Sequence, residues 1–109
     1  MNLEELEREV RRKLKEIDEV KLYYTLKELG VKRIGDLDTF KICVALHESN
    51  VPITSGSVAY FLNISTLNAL LKLHRLGDLG FLLQRSSSPV YLWSLHPRFK
   101  IKYYGERTE

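Results

Sequence analysis

The fold is decided by residues 58–95, which read VAYFLNISTLNALLKLHRLGDLGFLLQRSSSPVYLWSL. Asn63-Ile64-Ser65 interrupts an apolar helical pattern, and its serine or Thr66 can cap the helix that follows. Two β-rich runs, residues 81–85 and 90–95, flank three serines and a proline, which is the composition of a hairpin. The stretch therefore predicts two helices joined by a tight turn and followed by a β-hairpin.

One further helix is predicted just upstream of this stretch. Asp36 or Asp38 can accept hydrogen bonds from the free amides of a helix that runs through His47. Val51-Pro52-Ile53 then reads as a short extended piece, because proline is tolerated at the edge or the start of a strand. Thr54 or the serine after it can cap the next helix, which continues through Leu62.

The N-terminal segment predicts one long amphipathic helix. Residues 2–29 contain no Gly or Pro, their apolar residues recur at spacings of three and four, and Gly30 can end the helix. This helix can pack on its own domain or pair with the same helix of a second chain. Its heptad-like spacing favours a homodimer, although Lys13 and Lys27 fall at seam positions and weaken a pure coiled coil.

The remaining segments complete the domain organisation. After Pro97, charged and apolar residues alternate, which predicts another strand or a basic extension over residues 98–109. We therefore expect an N-terminal helix over residues 1–30, a single domain over residues 36–97, and the basic extension. The predicted fold class is mainly α with a small antiparallel β-sheet.

Composition excludes several classes of protein. The chain of 109 residues has a formal net charge of +3, which suggests a modest attraction to polyanions, and the basic excess lies after residue 80. Cys43 is the only cysteine, so an intramolecular disulfide and a cysteine-based zinc site are excluded. No apolar run reaches the roughly 18 residues of a membrane helix, and the acidic N-terminus lacks a signal pattern. We expect a cytoplasmic protein without a membrane partner.

No catalytic or cofactor-binding pattern is present in the sequence. His47, His74 and His96 lack metal-ligand spacing, and no cysteine cluster accompanies them. The cysteine and the serines have no recognisable base and orienting acid near them, and GxxxxGK is absent. We expect a non-enzymatic protein with no metal and no cofactor.

Residues 58–95 resemble the winged helix-turn-helix superfamily, in particular small transcriptional regulators of the MarR and ArsR kind. Ala59 matches the small residue of the second helix, Leu62 the hydrophobic residue that closes it, and Ile64 the residue that fills the turn. With the helix predicted upstream, the module that the resemblance implies extends over residues 36–95, a little over half of the chain. It implies a winged helix-turn-helix preceded by a long helix, with the third helix in the major groove of DNA and the hairpin as the wing.

The third helix presents a conflict that the sequence leaves open. The resemblance places Ala69, Leu73 and Leu76 in the core. The opposite side, turned towards DNA, then consists mainly of leucines, which cannot hydrogen-bond a base. Its members are Leu67, Leu70, Leu71 and His74. In one alternative the helix is rotated, so that these leucines join the core. In the other, the leucine face is exposed and covered by a partner.

The first functional hypothesis is a dimeric regulator that binds double-stranded DNA. Base contacts are expected from Asn68, Lys72 and Arg75, and phosphate contacts from cations in the wing and the extension. The full set of candidate DNA-binding residues is Ser65, Thr66, Asn68, Lys72, Arg75, Arg85, Ser87, Arg98, Lys100 and Lys102. The alternative hypothesis is a winged-helix protein-interaction subunit of a replication or transcription complex, which binds its partner through the leucine-rich third helix.

Overall fold

A computed structural model describes residues 2–30, 35–86 and 91–105, without the side chain of Asp36. Within these ranges the chain is mainly helical and has one small antiparallel sheet. The elements are α1 (Leu3–Glu16), α2 (Glu19–Glu28), α3 (Gly35–Glu48), α4 (Ser55–Leu62), α5 (Thr66–Asp78), β1 (Leu82–Ser86), β2 (Leu92–Leu95) and α6 (Pro97–Tyr104). No helix in the described ranges is both long enough and apolar enough to cross a membrane.

The single helix predicted over residues 2–29 is wrong, because the chain breaks between α1 and α2. Ile17 leaves the helical conformation at ψ 127°, and the carboxylate of Asp18 accepts a hydrogen bond from the amide of Lys21. Asp18 thus caps a new helix, which is a local alternative that aspartate offers to continued helix. The break lets α1 pack against α3 while α2 packs against α6.

The core is centred on α3. Phe40, Cys43 and Val44 are completely buried in it, and α1, α4, α5 and β2 all contact this helix. Because α3 begins at Gly35, Asp38 lies inside the helix and is not its cap, contrary to one of the two predicted caps. The side chain of Asp36, the other predicted cap, lies outside the described part of the chain.

The helix pair and the hairpin form as the sequence predicts. The hydroxyl of Thr54 accepts from the amide of Ser57, whose own hydroxyl accepts from the Thr54 amide, so α4 begins with a capping box. α4 ends at Asn63 in the left-handed region at φ 55°, and Ser65 caps α5. β1 and β2 pair antiparallel, and Ile53 adds an isolated bridge to Trp93.

The segment after Pro97 is the helix α6, so the predicted strand or basic extension is wrong for residues 98–104. Pro97 occupies the first turn, where its missing amide costs no hydrogen bond, and His96 caps the helix. Phe99 and Tyr103 are one helical turn apart and are buried, with 0% and 7% of their surface exposed. The alternation of charged and apolar residues therefore conceals the apolar stripe of a packed helix.

Candidate nucleic-acid interface

The orientation of α5 decides between the two alternatives for its leucines. Ala69, Leu73 and Leu76 are buried, whereas Leu67 and Leu71 keep 66% and 58% of their surface exposed. The rotated helix is therefore wrong, and the burial pattern implied by the resemblance is the observed one. The outward face of α5 contains two leucines that contact solvent.

A polar strip lies beside these leucines on the same helix. Asn68, Lys72 and Arg75 are spaced by four and three residues, which places them along one side of the outward face. Asn68 and Arg75 are exposed and Lys72 is half-buried. The strip combines an amide with two cations, a set that can bind base edges and phosphates.

Ser65 and Thr66, the predicted site residues at the start of α5, differ in what they do. The Ser65 hydroxyl accepts a hydrogen bond from the amide of Asn68 at 3.1 Å, so Ser65 serves as the helix cap. Thr66 is exposed at the first helical position, beside the polar strip.

Ring packing fixes α5 relative to the hairpin. The imidazole of His74 makes edge contacts with the rings of Trp93 and Tyr91, at centroid distances of 5.0 and 5.6 Å. Trp93 is 5% exposed and also lies against Gly77. The outward face of α5 and the strands of the hairpin are thereby held in one rigid unit.

Arg85 occupies an irregular position in β1. Gln84 pairs with Trp93 and Ser86 pairs with Leu92, so Arg85 is the extra residue of a β-bulge. Bulges change the direction of a side chain and recur beside functional sites. The Arg85 side chain is exposed. Ser87 lies outside the described residues.

Two of the three predicted cations on α6 hold the fold together. The Arg98 guanidinium donates from Nε to the Gly80 carbonyl at 3.0 Å, and from Nη2 to the carbonyls of Leu29 and Leu79 at 3.1 and 3.2 Å. Lys102 forms a 2.8 Å ion pair with Glu28 of α2. These contacts join α6 to the ends of α2 and α5. Lys100 is half-buried on the same helix. The convergence of three carbonyls on Arg98 has no signal in the sequence.

Charge is distributed unevenly along the chain. Residues 1–48 carry ten Lys and Arg against eleven Asp and Glu, whereas residues 49–105 carry six Lys and Arg against the single acid Asp78. The half that contains α4, α5, the hairpin and α6 is therefore strongly cationic for its size. In the prediction from sequence the basic excess lies after residue 80, whereas the cationic half of the chain begins upstream of α4.

The described residues give little support for a metal site or for a reactive cysteine. They contain no group of three or more His, Cys, Asp or Glu side chains that could hold a metal ion. Burial raises the pKa of the Cys43 thiol far above its usual value, which keeps it protonated and unreactive. No protein-family model matches the chain, and no curated protein is found to be similar to it.

Proposed function

We propose that this protein is a non-enzymatic, cytoplasmic DNA-binding regulator that acts as a dimer and reads duplex DNA with α5. The observation that carries the proposal is the cationic half of the chain, in which a polar strip with two exposed members, Asn68 and Arg75, lies on a helix packed against the hairpin. The order of α3, the Ile53 bridge, α4, α5 and the hairpin supports a winged helix-turn-helix arrangement.

The contacts proposed follow from side-chain chemistry. Asn68 pairs with adenine, while Lys72 and Arg75 bind guanine or phosphate. Arg85 binds a phosphate beside the groove that α5 enters, since a phosphate contact requires a cation but no particular base. Leu71, at the middle of the outward face, contacts the methyl group of thymine, which is the apolar feature of the major groove.

Binding of a fluorescent random-sequence duplex, followed by anisotropy at several salt concentrations, tests the proposal. Affinity should fall steeply with salt, and Lys72→Ala and Arg85→Ala should each weaken binding and reduce the salt slope by about one. Lys27→Ala removes the same charge from exposed surface of the acidic half and is the matched control. No binding at low salt, or equal losses in all three variants, would contradict the proposal.

The exposed leucines favour a second candidate function, a protein-interaction subunit of a replication or transcription complex. Leu67 and Leu71 are bordered by Lys72 and Arg75, a pattern that fits an amphipathic partner helix with acidic residues beside its apolar stripe. Replacement of both leucines by serine separates the two functions. DNA binding should keep its salt-dependent part in that variant, whereas binding of an acidic amphipathic peptide should be lost.

A further inference from the structure

A groove lies between the N-terminal half of α1 and α4, away from the polar strip of α5. Its volume is about 540 Å³, and its apolar lining comes mainly from Leu3, Leu6, Val10, Tyr60 and Phe61. Grooves of this volume and lining are typical of binding sites in folded proteins.

Polar contacts across the groove hold its two walls together. Glu7 of α1 accepts a hydrogen bond from the Tyr60 hydroxyl of α4 and forms a 3.1 Å ion pair with Arg11. The Arg11 guanidinium in turn lies over the ring of Phe61, 5.3 Å from its centroid. The groove is therefore formed within the single chain.

Leu3 is the apolar side chain that the fold leaves most exposed at this groove. It keeps 84% of its surface exposed, whereas Val10 on the same stripe of α1 is completely buried. Burial of such a leucine by a partner surface is favourable, because it removes apolar surface from water. One surface of the chain therefore contains both an apolar groove and an exposed apolar side chain, that of Leu3.

The charges of α1 favour another copy of the same helix as the occupant. Residues 3–7 contain three glutamates and no cation, whereas residues 8–15 contain five Lys and Arg and one glutamate. Antiparallel packing of two such helices places the acidic end of each beside the basic part of the other. Parallel packing would place like charges together. Such an antiparallel pair has two-fold symmetry when the axis is perpendicular to the two helices.

We propose that the chain forms a two-fold dimer in which Leu3 of each copy enters the groove of the other copy. In this arrangement Glu4 of each chain faces Arg11 of its partner. The inference rests on the proposed function in one respect, because it identifies the surface through which the proposed dimer forms. Molecular mass tests the dimer and anisotropy tests DNA binding, so the two failures are distinguishable. A monomer that still binds DNA would remove the dimer from the proposed function and leave the proposed contacts of α5 with DNA.

Light scattering coupled to gel filtration gives the first test. The wild-type protein should show twice the 12.7 kDa mass of one chain. Leu3→Asp should raise the dimer dissociation constant by at least about tenfold, because it places a charge in each apolar groove. Val20→Asp, at a position 65% exposed on α2, is the matched control and should remain a dimer. A wild-type monomer, or a dimer unaffected by Leu3→Asp, overturns the proposal.

A charge exchange gives a second test that loss of folding cannot imitate. Glu4→Arg alone places cations against Arg11 of the other copy, and Arg11→Glu alone places carboxylates against Glu4, so each variant should dimerise weakly. A mixture of the two variants restores opposite charges at both contacts and should form a heterodimer. Unchanged far-UV circular dichroism of each variant shows that it is folded. Failure of the folded variants to associate in the mixture contradicts the antiparallel geometry.

Discussion

Gly77 of α5 lies directly against the indole of Trp93 in β2. A Cβ atom placed on Gly77 would come within 2.9 Å of the Trp93 Cζ3 atom, closer than folded proteins tolerate. The absence of a side chain at this position therefore sets how closely the proposed reading helix approaches the hairpin. Position 77 lies inside a regular helix, whose backbone conformation any residue can adopt. Glycine is therefore favoured here by close packing and not by its conformational freedom.

Gly77→Ala should therefore destabilise the protein. Alanine improves helix propensity by about 1 kcal/mol, but forcing a methyl group into packed surroundings costs about 1–3 kcal/mol. We expect a net loss of up to about 2 kcal/mol in the free energy of unfolding, measured by urea denaturation. Trp93→Phe should offset part of this loss, because the smaller ring leaves room for the methyl group.

Gly56→Ala is the control for that substitution. The nearest atom to a Cβ at position 56 is the Thr54 Oγ1 atom at 3.7 Å, an ordinary contact distance. Stability should be unchanged or should rise by up to about 1 kcal/mol. A Gly77→Ala variant as stable as Gly56→Ala would show that the contact with Trp93 does not limit the packing of α5.

Arg98→Ala should lower the stability of the protein, whereas Arg85→Ala should weaken its binding to DNA. Arg98→Ala removes hydrogen bonds to three carbonyls and should lower the free energy of unfolding by about 1–3 kcal/mol. Arg98→Lys should recover little of this, because a lysine ammonium lacks the planar fork that reaches several acceptors. Arg85→Ala should change stability by less than about 0.5 kcal/mol while weakening DNA binding. Full stability in Arg98→Lys would show that only the charge is needed.

The regions predicted correctly are those with strong local signals. Thr54 and Ser65 cap helices within a few residues of chain, and β1 and β2 lie close to the two predicted β-rich runs. A sequence pattern is therefore sufficient to locate α4, α5 and the paired strands. The orientation of α5 stayed open between two alternatives, because the periodicity of a leucine-rich helix does not decide which face is buried. The structure has the orientation that the resemblance implies.

The regions predicted wrongly depend on contacts between distant parts of the chain. The apolar spacing continues through Ile17 and Asp18, so it hides a break that Asp18 stabilises and that the packing of α1 and α2 on different helices requires. The sequence predicts Arg98 as a cation of a basic extension, because its acceptors Leu29 and Gly80 are 69 and 18 residues away. Local patterns carry no information about such convergence.

The link between α1 and α4 should weaken in acid. Hydrogen bonding from Tyr60, and then from Arg11, lowers the pKa of Glu7 below its ordinary value of 4.5. The carboxylate therefore contributes its full stabilisation above pH 4.5 and loses it as the pH falls through the lower pKa of the folded state. Glu7→Gln should reduce the stability lost between pH 6 and pH 3, as measured by the urea midpoint. Glu5→Gln removes the same charge from an exposed position of α1 and should not reduce it.

Cys43 should report the opening of the core. Its side chain is completely buried in α3, and burial raises the pKa of its thiol, so the reactive thiolate is absent from the native state. We expect a disulfide reagent to modify the native protein only at the rate at which the core opens, and to modify the urea-unfolded protein at once. The modification rate should rise in Gly77→Ala in step with its loss of stability, while Gly56→Ala should match the wild type or react more slowly. Rapid modification of the stable native protein would contradict the packing of α3 at the centre of the core.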